Sequence, residues 1–166
     1  MTAKSLVGKI LASTMANRQI PTIKARDVGN LPKDEFAFPG PERDRLAEAI
    51  LNGRKVAMTS LMAEFIHDHE PLPFSGRRTI LVNSDDQPLA VLRYTSVSVT
   101  RLGLVTLQHV LNEGEGYKSL TEWHRAHESF WTSGNMRQAL DDPNFIVDDQ
   151  TLVVLETFYV DAMVVN

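Results

Sequence analysis

Two segments of the sequence hold side chains able to do chemistry. The first is Gly53-Arg54-Lys55, at the junction between the end of a helix and the start of a strand. A lysine just past a glycine turn sits where the backbone can approach a ligand closely. If half-buried, its ammonium binds phosphate or carbonyl oxygen, or loses its proton and serves as a base. An exposed strand-end lysine is the commoner outcome. The second segment is Glu113-Gly114-Glu115-Gly116-Tyr117-Lys118, followed by Ser119-Leu120-Thr121-Glu122-Trp123. Alternating Glu and Gly make a loop that can aim a carboxylate inward. Ser119 and Glu122 have capping-box spacing, so the ordinary role of Ser119 is a helix N-cap. Judged alone, Glu113 and Glu115 are exposed loop acids more often than catalytic ones.

On the following helix Trp123, His127, Phe130 and Trp131 share a face, which reads as packing rather than a base-stacking platform. His124 and Arg125 point elsewhere, toward the rim of a cleft. His124 with His127, or His67 with His69, have no acidic or cysteine framework beside them, so no metal site is expected.

The elements that must position these groups are legible in outline. Pro41 and Glu42 suit the first turn of a helix. Leu46, Ala47, Ile50 and Leu51 form its buried stripe, and Gly53 stops it. Residues 54–60 read as a short strand. Thr79–Asn83 and Leu89–Val99 flank Ser84-Asp85-Asp86-Gln87, a hairpin signal. Helices are expected over 106–112 and 119–131, with a closing strand in Leu152–Val165. Leu6, Ile10, Leu11 and Met15 predict an amphipathic helix over 3–17, and the prolines and glycines of 18–40 an irregular connection. Strands with interspersed helices, outside βαβ alternation, give an α+β fold with a small barrel.

The chain has 166 residues, 43% hydrophobic and 23% charged, enough for one domain with a core. It contains no cysteine, which excludes disulfides and Cys-ligated zinc. With no secretory signal pattern and no long apolar run, a cytoplasmic protein without a membrane partner is expected. The net charge of −4 argues against gripping long RNA by phosphate neutralisation.

In order and spacing, several stretches resemble the ASCH superfamily. They are Phe36-Ala37-Phe38-Pro39-Gly40-Pro41-Glu42, the Leu-Ala-Glu-Ala-Ile-Leu helix, Gly-Arg-Lys with its strand, and Glu70-Pro71-Leu72-Pro73. The hairpin with Leu89-Ala90-Val91-Leu92 follows, then Glu-Gly-Glu-Gly with Ser119-Leu120 and Trp123, and His127 four residues on. The resemblance covers about residues 36–160. It implies a PUA-like fold, a small mixed β-barrel with flanking helices, with residues 1–35 packed on a domain spanning 36–166. It also implies a cleft that handles RNA or a nucleoside-like ligand without a cofactor. In amidohydrolase-like members the working set is a Lys, a Thr three residues later and a Glu from the acidic loop. Here the Lys is Lys55 and the Glu is Glu115 or Glu113. The Thr position falls on Met58, whose thioether neither attacks a carbonyl nor relays a proton. Thr59 is adjacent; ideal alternation places it on the face of Lys55, whereas a bulged strand turns it away. Tyr117, His124 and Arg93 also depart from the family pattern.

Two functions follow. As an enzyme, the chain hydrolyses an amide on a modified nucleoside with Lys55, Thr59 and Glu115 as catalytic residues, or cleaves RNA with His124 or His127 as acid and base. As a binding module, it uses Arg54, Lys55, Lys118 and Arg125 on phosphate and Tyr117 on a base, with Met58, Glu113, Ser119 and His124 lining the cleft.

Overall fold

The computed structural model describes residues 19–166; the helix expected over 3–17 lies outside them. Six strands form one mixed sheet: β1 (Thr22–Lys24), β2 (Lys33–Asp34), β3 (Ala57–Leu61), β4 (Arg78–Val82), β5 (Pro88–Arg101) and β6 (Leu152–Val165). Five α-helices accompany it: α1 (Pro41–Leu51), α2 (Met62–His67), α3 (Leu107–Glu113), α4 (Leu120–Trp131) and α5 (Gly134–Ala139). β6 is the spine. One edge pairs along its length with antiparallel β5. The other is shared by β3, antiparallel to Val153–Thr157, and β1, parallel to Met163–Val165. β4 extends the sheet beyond β5, and β2 joins β4 in parallel. The expected PUA-like α+β class holds. The sheet does not close into a barrel among the described residues, because it ends on β1 and β3 at one side and β2 at the other.

Helix α1 behaves as its sequence requires. Pro41 opens it where a missing N–H costs nothing, Glu42 and Asp44 lie in the first turn, and Leu46, Ala47, Ala49 and Ile50 are buried. Gly53, at φ +76°, then folds the chain back so that the amides of Arg54 and Lys55 both donate to the Ala49 carbonyl. The strand begins only at Ala57, three residues later than expected, because this capture holds Arg54 and Lys55 off the sheet. α2 and α5 are not legible in the sequence. Each is six residues long, too short for an apolar period to register, and α2 starts straight out of β3, with the Leu61 amide donating to Glu64 at 2.9 Å.

Among the described residues, three apolar clusters pack on the sheet, the smallest of them Val28, Ile80, Val82, Val91 and Ala162; the other two carry the site. One contains Phe36, Leu46, Ile50, Leu92, Tyr94 and Phe158; the other contains Leu61, Val110, Trp123, Trp131, Met136 and Val153. Among the apolar strands β6 buries Glu156, 1% exposed, with Ser60 Oγ donating to it at 3.0 Å. Burial pushes this carboxyl up to about 8. The folded state therefore holds a proton that the unfolded chain releases near pH 4.5. Stability contributed by that proton is lost as pH rises from about 4.5 to about 8. Glu156→Gln keeps a hydrogen-bonding partner for Ser60 and removes this loss. Urea unfolding at pH 5 and pH 9 is expected to give the variant an advantage that appears only at the higher pH, on the order of 1–3 kcal/mol.

Candidate functional site

The Gly53 turn, the end of α3 and the middle of β3 converge. Beyond the turn the Val56 amide donates to Asn112 O on α3, and the Val56 carbonyl accepts from Phe158 of β6. Lys55 is thereby clamped between helix and sheet and is only 2% exposed. Its ammonium lies 2.6 Å from Glu115 Oε1 and 3.5 Å from the Glu113 carbonyl. The second Glu115 oxygen faces Arg45 at 3.7 Å.

α3 supplies the next layer. Thr106 caps it by accepting the His109 amide, and Gly114, at φ +65°, ends it. Between them His109 and Glu113 stand four residues apart on the face turned to β3. The Glu113 side chain is fully buried. Thr59 Oγ1 donates to its Oε1 at 2.6 Å, and Trp123 Nε1 donates to its Oε2 at 2.6 Å. His109 Nε2 lies 2.9 Å from Thr59 Oγ1 and 3.3 Å from Glu113 Oε1, while His127 Nε2 is 3.5 Å from Oε2. Since Thr59 gives its one proton to Glu113, this arrangement assigns the Nε2–H tautomer to His109. Burial pushes the Glu113 carboxyl up. The His109 hydrogen bond, the charges of Lys55 and His127 and the Thr59 bond together outweigh it, leaving Glu113 below the usual carboxylate range. His127 is held below the usual imidazole value, chiefly by burial.

These groups open on a cavity of about 330 Å3. Lys55, Met58, Thr59, Glu113, Glu115, Tyr117 and His127 all line it, with Phe36, Phe130 and Trp131 as apolar walls. Tyr117 is half-buried and packs edge-on against His127, its hydroxyl pushed up by burial and by Glu115. Thr59 thus shares the cavity with Lys55, and Met58 lines it too. The remaining candidates lie elsewhere. Arg54 is exposed and donates to Asn52, Lys118 is exposed, and Ser119 caps α4 by accepting the Glu122 amide. His124 and Arg125 line a shallow depression on the outer side of α4. Glu113, read from its loop context as an exposed acid, is instead the last residue of a helix turned inward. His109 went unread as a functional residue. The one available signal was its i, i+4 spacing to Glu113, visible once 106–112 is taken as a helix. Trp123 does pack as expected, and its indole N–H also holds the buried carboxylate.

The mixed sheet, its covering helices and the cleft at their junction define a PUA-like α+β domain. Residues 35–161 match the family model of the ASCH domain, and the chain belongs to that family. It is similar to the ASCH domain of Lactobacillus crispatus JV V101, with 30% identity and a TM-score of 0.67 over 78% of this chain and 79% of that one. A protein of Enterococcus faecalis V583 shares the fold at 21% identity, with a TM-score of 0.65 over 96% of this chain and 88% of that one. No protein of curated function matches. Among the described residues, no helix is long and apolar enough to cross a membrane.

Proposed function

We propose that the chain binds a nucleoside-like ligand in the cavity around Lys55 and Glu115 and hydrolyses an amide on it, with Thr59 as nucleophile. One observation carries the reading. Thr59, a cavity-lining hydroxyl beside a buried lysine, already donates its proton to a carboxylate that two other groups orient. A nucleophile hydrogen-bonded to a base that is itself held by a third group is the arrangement acyl transfer needs.

In the first half-reaction Thr59 Oγ1 attacks the amide carbonyl and its proton passes to Glu113. The Lys55 ammonium stabilises the oxyanion that develops. The C–N bond then breaks, and Glu113 returns the proton to the departing amine. In the second half-reaction water attacks the Thr59 ester, again through Glu113, releasing the acid and restoring the hydroxyl. Glu115 positions the Lys55 ammonium through their 2.6 Å contact. The cavity favours a ligand without phosphate, because Glu42, Glu113 and Glu115 face Lys55 there. That balance supports a nucleoside over RNA.

The test is chromatography of base-acylated nucleosides and short RNAs incubated with wild type, Thr59→Ala, Thr59→Ser and Lys55→Ala. Wild-type turnover of an amide is expected, lowered about 10²–10⁴-fold by Thr59→Ala or Lys55→Ala and partly restored in Thr59→Ser. Binding of the panel without turnover, or turnover indifferent to Thr59, sinks the reading and leaves a binding module. Cleavage of RNA instead assigns a ribonuclease.

A further inference from the structure

The cavity does not end at Thr59. A second chamber of about 450 Å3 adjoins it, and the two share Ala37, Met58, Thr59, Phe130 and Trp131 as a common wall. The residue read as the nucleophile therefore belongs to the wall that the two spaces share. An amide whose carbonyl carbon lies against Thr59 has its two halves directed into different chambers.

The chambers differ in chemistry. In the first, Glu42, Glu113 and Glu115 stand with Lys55, which is paired to Glu115, among aromatic side chains. The second is lined by Phe38, Phe65 and Met136 and by several carboxylates. Four acids, Glu35, Glu64, Asp68 and Glu70, face it against two cations, Lys33 and Arg43. Both cations are already engaged, Arg43 with Glu35 and Lys33 with Asp86. Glu64 is half-buried and accepts the Leu61 amide, and among the described residues no cation lies within ion-pair distance of it. Apolar side chains together with a carboxylate that no cation pairs fit a chain of methylenes ending in an ammonium.

We infer that the substrate's acyl group is longer than acetyl and bears an amine, and that it occupies the second chamber while the nucleoside half occupies the first. This rests on the hydrolytic reading above. Met58 suits the junction: where a threonine would add a second hydroxyl, its unbranched thioether gives a flexible apolar passage between the chambers.

The test uses nucleosides acylated on the exocyclic base amine with acetyl, hexanoyl and 6-aminohexanoyl groups, assayed with wild type, Glu64→Gln and Ala139→Phe. Ala139 is exposed on the rim of the second chamber, and a phenyl ring there obstructs it. The expected kcat/KM for 6-aminohexanoyl is at least about tenfold above hexanoyl, the scale of one ion pair that forms only with the amine. Glu64→Gln is expected to narrow that gap, and Ala139→Phe to slow both long amides, each with acetyl turnover unchanged. Acetyl turning over as fast as the aminoacyl amide, or hexanoyl matching 6-aminohexanoyl, overturns the inference and leaves the hydrolase reading intact. Calorimetry with the corresponding N-ethyl, N-hexyl and N-6-aminohexyl nucleosides separates the two claims. The same ranking in binding with no amide hydrolysed keeps the two-chamber ligand and removes the hydrolase. No ranking in either assay removes the inference.

Discussion

Gly114→Ala is expected to destabilise the domain by at least about 3 kcal/mol, the sum of a left-handed alanine and a backbone overlap. A Cβ on Gly114 falls 1.9 Å from the Arg54 carbonyl oxygen and 2.4 Å from its carbon. Neither is the end of a flexible side chain, so the α3 terminus and the Lys55 segment must separate. Gly53→Ala is the control. Its φ of +76° imposes the same conformational penalty, but nothing lies within 4 Å of the added methyl. It is expected to cost only about 1 kcal/mol. Urea unfolding of both variants reads the difference. Equal losses would mean that the close approach of the two chain segments does not matter. The larger loss at Gly114 should come with lost ligand binding, since the Val56–Asn112 bond and the Lys55–Glu115 pair span the same contact.

That contact shows which parts of the site local sequence could reveal. Pro41, Gly53 and Ser119 act through their neighbours in the chain, and each sets its boundary as expected. The hairpin and the long closing strand likewise follow from short-range pattern. Family spacing pairs Lys55 with Glu115 or Glu113, and it is Glu115 whose carboxylate lies 2.6 Å from the ammonium. Their separation of sixty residues leaves no local trace. The face of Thr59 is not determined by sequence, since a bulge anywhere between Lys55 and the strand reverses it. The chain is held off the sheet through Lys55 and alternates regularly from Ala57, so Thr59 faces α3. His109 was invisible for a different reason. A histidine in a short helix acquires a role only from what the helix packs against, here the threonine of a strand fifty residues earlier. The barrel expectation overreached because strand count cannot say whether the first and last edges meet.

Glu113→Gln is expected to separate the catalytic role of this carboxylate from its structural one. The substitution keeps the shape but leaves one acceptor oxygen where there were two. Trp123 Nε1 is a donor only, so the glutamine oxygen must turn toward it and the amide nitrogen toward Thr59. Thr59 then accepts from residue 113 and redirects its proton to His109, whose tautomer must change. Every buried polar atom retains a partner, so the stability cost at pH 7 is only that of the lost charge-assisted bonds, on the order of 2–3 kcal/mol. Turnover is expected to fall much further, by about 10³-fold or more, because the nucleophile no longer faces a base. The pH dependence distinguishes this from a packing defect. Glu113 is depressed in the folded state, so its charge contributes stability that is fully present above the ordinary carboxylate range and lost as pH falls through the folded value. The gap between wild type and variant in urea unfolding should thus be widest near neutrality, and close in acid as pH falls below the ordinary carboxylate range and through the lower folded value. A gap constant with pH, or activity that survives the substitution, would make Glu113 a buried strut and return the choice of base to Glu115. The charge of Glu113 is what orders Thr59, His109, His127 and Trp123 around one point, and removing it alone asks whether that order serves chemistry.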